Sequence, residues 1–274
     1  MRQTLLSRWE ASLLGSAIPK IDQTLHGSQV ESWQKQQEEG IDALAEAGKW
    51  QPIFRGQNSG VSERLVSCLP LLLFLSDQPE SLREEMNSIA QQQTDSPLVS
   101  AAIAAYETAI RWGTTEQLSG QTLFGQLEAN LNSEIGYKVL KTLQESQQQG
   151  ATLRQLRQNL PVTCQDIWLA LYCFATTSED LTLSVRRVKN SLGSDAEILA
   201  LVGALLGVHN GMNAIPIPWR RRLQKERTQW KDKLRLMFAT WSGSYHVTKL
   251  NPSLEQNATI IAPSGVIQPR RSKN

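Results

Sequence analysis

Apolar residues recur along this chain at helical spacing, not in the alternation of a strand. Ser28 to Ala47 sets Val30, Trp33, Ile41 and Leu44 in a Gln- and Glu-rich background, which predicts a surface helix interrupted at Gly40. From Ser59 onward Val61, Leu65, Cys68, Leu69, Leu72, Leu73 and Leu75 predict a buried helix, and Pro70 should bend it or delay its start. Pro79 follows Asp77 by two residues and Pro97 follows Ser96; a proline in the first turn after a capping side chain is a helix-start signature, here for Pro79 to Gln93 and Pro97 to Trp112. Further helices are predicted at Gln117 to Ala129, Ser133 to Gln149, Thr163 to Phe174, Ser178 to Ser191, Asp195 to Gly211 and Pro218 to Ala239. Strand signals are nearly absent, apart from a weak one between Thr259 and Ile267. The pattern predicts an all-α protein: one compact domain of about ten to twelve helices over residues 1–250, then an extended basic tail over 251–274.

Composition narrows the class. With 274 residues, 40% hydrophobic and 20% charged, and a mean hydropathy of −0.33, the chain can bury a sizeable core and is not disordered throughout. The longest apolar runs, Leu69 to Leu75 and Ile198 to Val208, fall well short of the roughly 20 residues a bilayer helix needs, so no membrane span is expected. No export signal is visible near Met1, because Arg8 follows too soon for an apolar signal core. Cys68, Cys164 and Cys173 are odd in number and lack a Cys-x-x-Cys pair, which predicts reduced, buried thiols and a cytoplasmic location. His26, His209 and His246 form no metal-binding pair, and His209 reads as a packing residue.

Charge is unevenly divided. Residues 1–150 carry 11 Lys and Arg against 18 Asp and Glu, a balance of −7, whereas residues 151–274 carry 17 against 8, a balance of +9. The basic excess concentrates between Arg220 and Arg235, where Leu223, Trp230, Leu234 and Met237 mark a buried side. Arg220, Arg221, Arg222, Lys225, Lys231 and Lys233 are then either a solvated face or a docking face for an acidic protein. Nucleic acid is not expected there, since no stacking aromatics or groove-entering motif accompany the cations. Of eight tryptophans, Trp50, Trp112, Trp168 and Trp219 are expected in the core, and Trp33 and Trp241, flanked by polar residues, at an interface.

The most informative stretch runs from Asn190 to Trp219. Val202-Gly203-Ala204-Leu205-Leu206-Gly207 is a small-residue helix, Asn210-Gly211 its end, and Ala214-Ile215-Pro216 with Trp219 the turn beyond. In this order and spacing the segment resembles the late signature of the ADP-ribosylglycohydrolase family. Ala11 to Ile18 is similar to that family's first helix, Thr94-Asp95-Ser96-Pro97 to a middle element, and Cys164 to Phe174 to the helix before the signature. The resemblance covers roughly residues 5–235 and implies an all-α fold. It also implies hydrolysis of a glycosidic bond to ADP-ribose by two magnesium ions, held by an early Gly-Asp, a Thr-Asp-Asp-Thr and a late Asp-x-Asp-Thr.

This chain departs from that pattern at each place. Pro19 and Lys20 stand for the Gly-Asp, and Ser59-Gly60-Val61-Ser62 for the Thr-Asp-Asp-Thr, which keeps hydroxyls and loses both carboxylates. Asp195 remains, Glu197 replaces the second Asp, and Ile198 replaces the Thr. Ser59, Ser62, Asp195 and Glu197 are the ligand-pocket candidates, with Asp195 and Glu197 a vestigial metal pair; their plainer role is to stabilise a helix N-terminus. Two hard cations need several anionic oxygens, so the expectation is a catalytically inactive relative without bound magnesium, acting in binding or regulation. ADP-ribose or a nucleotide in a residual cleft, and an acidic protein, are its candidate partners. Two rivals stay open: an active ADP-ribosyl hydrolase with an atypical metal site, and a purely electrostatic module binding an acidic protein or nucleic acid.

Overall fold

A computed structural model describes residues 3–21, 27–47, 60–91, 96–131, 133–193, 195–226 and 230–243. Among them are fourteen α-helices and no strand. They are α1 Leu5–Gly15, α2 Gly27–Ala47, α3 Val61–Ser67, α4 Leu69–Phe74, α5 Pro79–Gln91, α6 Pro97–Thr114 and α7 Leu123–Asn130, then α8 Glu134–Gln148, α9 Leu153–Asn159, α10 Gln165–Thr177, α11 Leu181–Leu192, α12 Ala196–Asn210, α13 Ile217–Glu226 and α14 Trp230–Ser242. Short 3₁₀ turns lie at Ile18–Ile21, Val162–Cys164 and Gly211–Ala214. The segment 251–274, Ser59, His26, Trp50 and His246 lie outside the described residues.

The fold is organised round α12, which is apolar on every side and buried throughout its middle, as an all-round hydrophobic helix must be. Its closest neighbour is α1. Gly15 faces Gly203, and Ala11 faces Gly207, so closely that a Cβ on Gly15, Gly203 or Gly207 would run into the backbone opposite. The Ser12 hydroxyl donates to the Ala204 carbonyl at 3.0 Å, and the Tyr106 hydroxyl, from α6, to that of Leu201 at 2.9 Å. At the far end the buried Arg8 guanidinium donates to the carbonyls of Gly113, Val208 and His209 and pairs with Glu116 at 3.0 Å, satisfying helix-end carbonyls that would otherwise be orphaned. Gly211, at φ +66°, then turns the chain out of α12.

Several expectations hold. Cys68, Cys164 and Cys173 are free and buried, and Leu223, Trp230, Leu234 and Met237 form the inner side of the basic segment. His209 packs edge-on against Phe174. Pro70 falls at the start of α4 and separates it from α3.

Other expectations need correction. Gly40 does not interrupt α2, which is anchored on both sides of it by buried Gln37 and Ile41; the Gln37 amide donates to the Ser16 hydroxyl and the Val66 carbonyl. The helix expected from Gln117 begins only at Leu123, because Glu116 at φ +61° and two capping bonds to Trp112 end α6 in a turn. The basic segment is two helices, α13 and α14. Trp33 is fully buried, and Trp241 is 6% exposed with its indole N–H donating to Asp77 at 3.0 Å. Polar neighbours in sequence do not put either ring at the surface, since Gln34 and Thr240 are themselves buried, and Trp241 packs against Trp9.

No single helix among the described residues is long and apolar enough to cross a membrane; α12 with α13 has the length and composition only as a pair bent by 109°.

Candidate functional site

The N-terminal ends of α3, α10 and α12 meet on one side of the molecule, with α9 beside them. Each brings a polar group into an otherwise apolar packing. Ser62, in the first turn of α3, is buried, and its hydroxyl donates to the Asp166 carboxylate of α10 at 3.4 Å. Asp195 is the N-cap of α12: its Oδ1 accepts from the Ile198 backbone N–H at 3.3 Å. Its other oxygen faces the Arg157 guanidinium at 3.5 Å. Arg157 is held in place by Gln165, which accepts from Arg157 Nε at 3.1 Å and donates back to the Arg157 carbonyl at 3.0 Å.

The carboxylates feel one another. Burial pushes the Asp166 carboxyl up, and Asp195 adds to this while Arg157 and the Ser62 hydroxyl oppose it. Glu197 is pushed up by burial first and then by Asp195, Asp166 and Glu63, against its own backbone N–H. Glu63 is raised by burial despite Arg64. Four carboxylates thus share one half-buried region at three helix N-termini, where backbone N–H groups partly offset their mutual repulsion.

The ADP-ribosylglycohydrolase family model matches residues 7–244. This chain belongs to the ADP-ribosylglycohydrolase family. No curated protein matches it. As a family member it carries the all-α fold, and its α12 and the turn through Ile215 and Pro216 are the segment that resembles the late signature.

Of the site residues expected from the sequence, Ser62, Asp195 and Glu197 come together here. Ser59 lies outside the described residues, and Pro19 and Lys20 occupy the 3₁₀ turn Ile18–Ile21, which packs on α12. Asp166, Glu63 and Arg157 were not foreseen. The available signal was an acid in the first turn of an otherwise apolar helix, Gln165-Asp166-Ile167-Trp168, but its partner Ser62 lies 104 residues away in sequence.

These residues do not fit the dinuclear magnesium centre that the resemblance implies for active relatives. A magnesium ion needs near-octahedral oxygen ligation, whereas both Asp195 oxygens are engaged and Ile198 contributes only a backbone donor. Among the described residues no group of three or more His, Cys, Asp and Glu side chains is placed to hold a metal.

The basic residues prove to be unlike one another. Arg220 donates to the carbonyls of Met212 and Ile215 and so closes the turn before α13. Lys231 pairs with Glu10 at 3.2 Å and Lys233 with Asp42 at 2.7 Å, both acids of the N-terminal half. Arg221 and Arg222 are exposed on α13, and the Lys225 side chain is outside the described residues.

Proposed function

We propose that this chain is a non-hydrolytic member of its family that uses the polar site at the N-termini of α3, α10 and α12 for binding. The observation that carries this reading is the engagement of Asp195 by the α12 backbone and by Arg157, in a site whose matching positions hold Pro19, Lys20, Gly60, Val61 and Ile198 instead of ligands. A cation takes the place of an ion: Arg157 supplies part of the positive charge that balances the carboxylates. Carboxylates accept from hydroxyl donors, so the ribose hydroxyls of ADP-ribose or a nucleotide are the chemistry that this acidic site would receive. Exposed Arg221 and Arg222 on α13 suit an acidic protein as partner, which makes the role regulatory.

Calorimetric titration with ADP-ribose, with and without Mg²⁺, tests the reading. Binding of equal strength in both conditions, and no release of ADP-ribose from modified arginine or serine, is the expected result. Metal-dependent turnover that Glu197→Ala abolishes, or a rise of several degrees in melting temperature in Mg²⁺ that Asp195→Ala removes, would restore the active-hydrolase reading. For the partner, pull-downs at low and high salt with wild type and an Arg221→Ala/Arg222→Ala variant should differ; identical recovery in all four conditions would remove the docking face.

A further inference from the structure

A cleft lies between α5, α6 and the end of α7, and none of its lining residues belongs to the carboxylate cluster described above. It has a volume of about 340 Å³, at the small end of ligand pockets. Ser100, Ala104 and Glu107 project into it from one face of α6, spaced four and three residues apart as one helical stripe requires. Arg83 and Asn87 of α5, Thr108 of α6, Asn130 and Ser133 are its other polar lining residues.

Glu107 is the anomaly. It is only 5% exposed, yet among the described residues its carboxylate makes no hydrogen bond and no ion pair within 4.0 Å. Burial pushes its carboxyl up to about 7, although Arg83 from α5 and Arg111 from α6 pull it down. The residue is largely buried while its carboxylate opens to the cleft, so a charged donor bound there would make a charge-assisted contact that no described residue makes. A simple amine would gain Glu107 but meet the positive charge of Arg83; a molecule that also carries its own carboxylate satisfies both.

We propose that this cleft binds a small zwitterion, its ammonium group on Glu107 and its carboxylate on Arg83. The exposed guanidinium at the rim captures the anionic end and the deep carboxylate takes the cationic end, so the ligand is held along the cleft by two charge-assisted contacts of opposite sign. The site is independent of the carboxylate cluster at the helix N-termini and of the reading given to it.

Calorimetric titration of the full chain with ω-amino acids from 3-aminopropanoate to 6-aminohexanoate, with pentylamine and pentanoate as single-charge controls, decides the matter. At least one amino acid should bind about tenfold or more tightly than either control. Glu107→Gln should weaken that binding about tenfold or more, and Ala104→Phe, which fills the cleft, should abolish it, with circular dichroism unchanged in both. Failure of every amino acid to bind, equal binding by pentanoate, or binding indifferent to Glu107→Gln would each overturn the proposal.

Discussion

Glu107 makes folding depend on pH in a definite direction. Its carboxyl rises from an ordinary value of 4.5 to about 7, first because it is buried. Between those two values the folded chain holds a proton that the unfolded chain has released, so stability falls as pH rises through this window. Glu107→Gln removes that dependence. The variant should therefore be more stable than wild type at pH 8, by roughly 1–3 kcal/mol, and nearly indistinguishable at pH 5; thermal denaturation at the two pH values measures it. Asp195 stabilises through a hydrogen bond, because it caps α12. Asp195→Ala should lower stability in urea by roughly 0.5–2 kcal/mol, and Asp195→Asn, which can still accept from Ile198, by much less. Asp195 was legible in the sequence as an acid at a helix start. Arg157 was not, because the bond that turns it toward Asp195 comes from Gln165, eight residues further on in another helix.

At the scale of elements, the decisive contact is α1 against α12. The spacing of Gly203 and Gly207 announces a helix that something approaches closely, but not which helix does so. Gly15 and Ala11 supply the answer, backbone against backbone. Gly203→Ala should destabilise the protein by about 1–3 kcal/mol or more, since the added methyl meets a main-chain carbonyl that cannot rotate away. Gly125, inside α7, is the control: a Cβ there meets nothing within 4 Å, so Gly125→Ala should stabilise by about 0.4–1 kcal/mol. Urea titrations of the two variants give the comparison.

For the molecule as a whole, part of the opposed charge of the two halves meets within the fold. The basic α14 lies on α1 and on the acidic α2, with Lys231 on Glu10 and Lys233 on Asp42. These pairs are partly exposed, so a double-mutant cycle of Lys233→Ala with Asp42→Ala should give a coupling of about 0.2–1 kcal/mol that shrinks in high salt. A charge split of this kind, read along the chain, cannot be assigned to an external partner until the packing of the two halves is known.

Helical class, the burial of α12, the start of α4 at Pro70 and the family resemblance all follow from the order of residues, because each depends on periodicity or on neighbours within a few positions. The identity of what meets what does not. Ser62 with Asp166, Arg157 with Asp195, Gly15 with Gly203 and the unpartnered Glu107 beside Arg83 join residues from separate helices, at distances set by how the helices cross. Local sequence decides which face of a helix is apolar; only the packing of those faces decides which polar groups are buried together, and it is there that the chemistry of this protein lies.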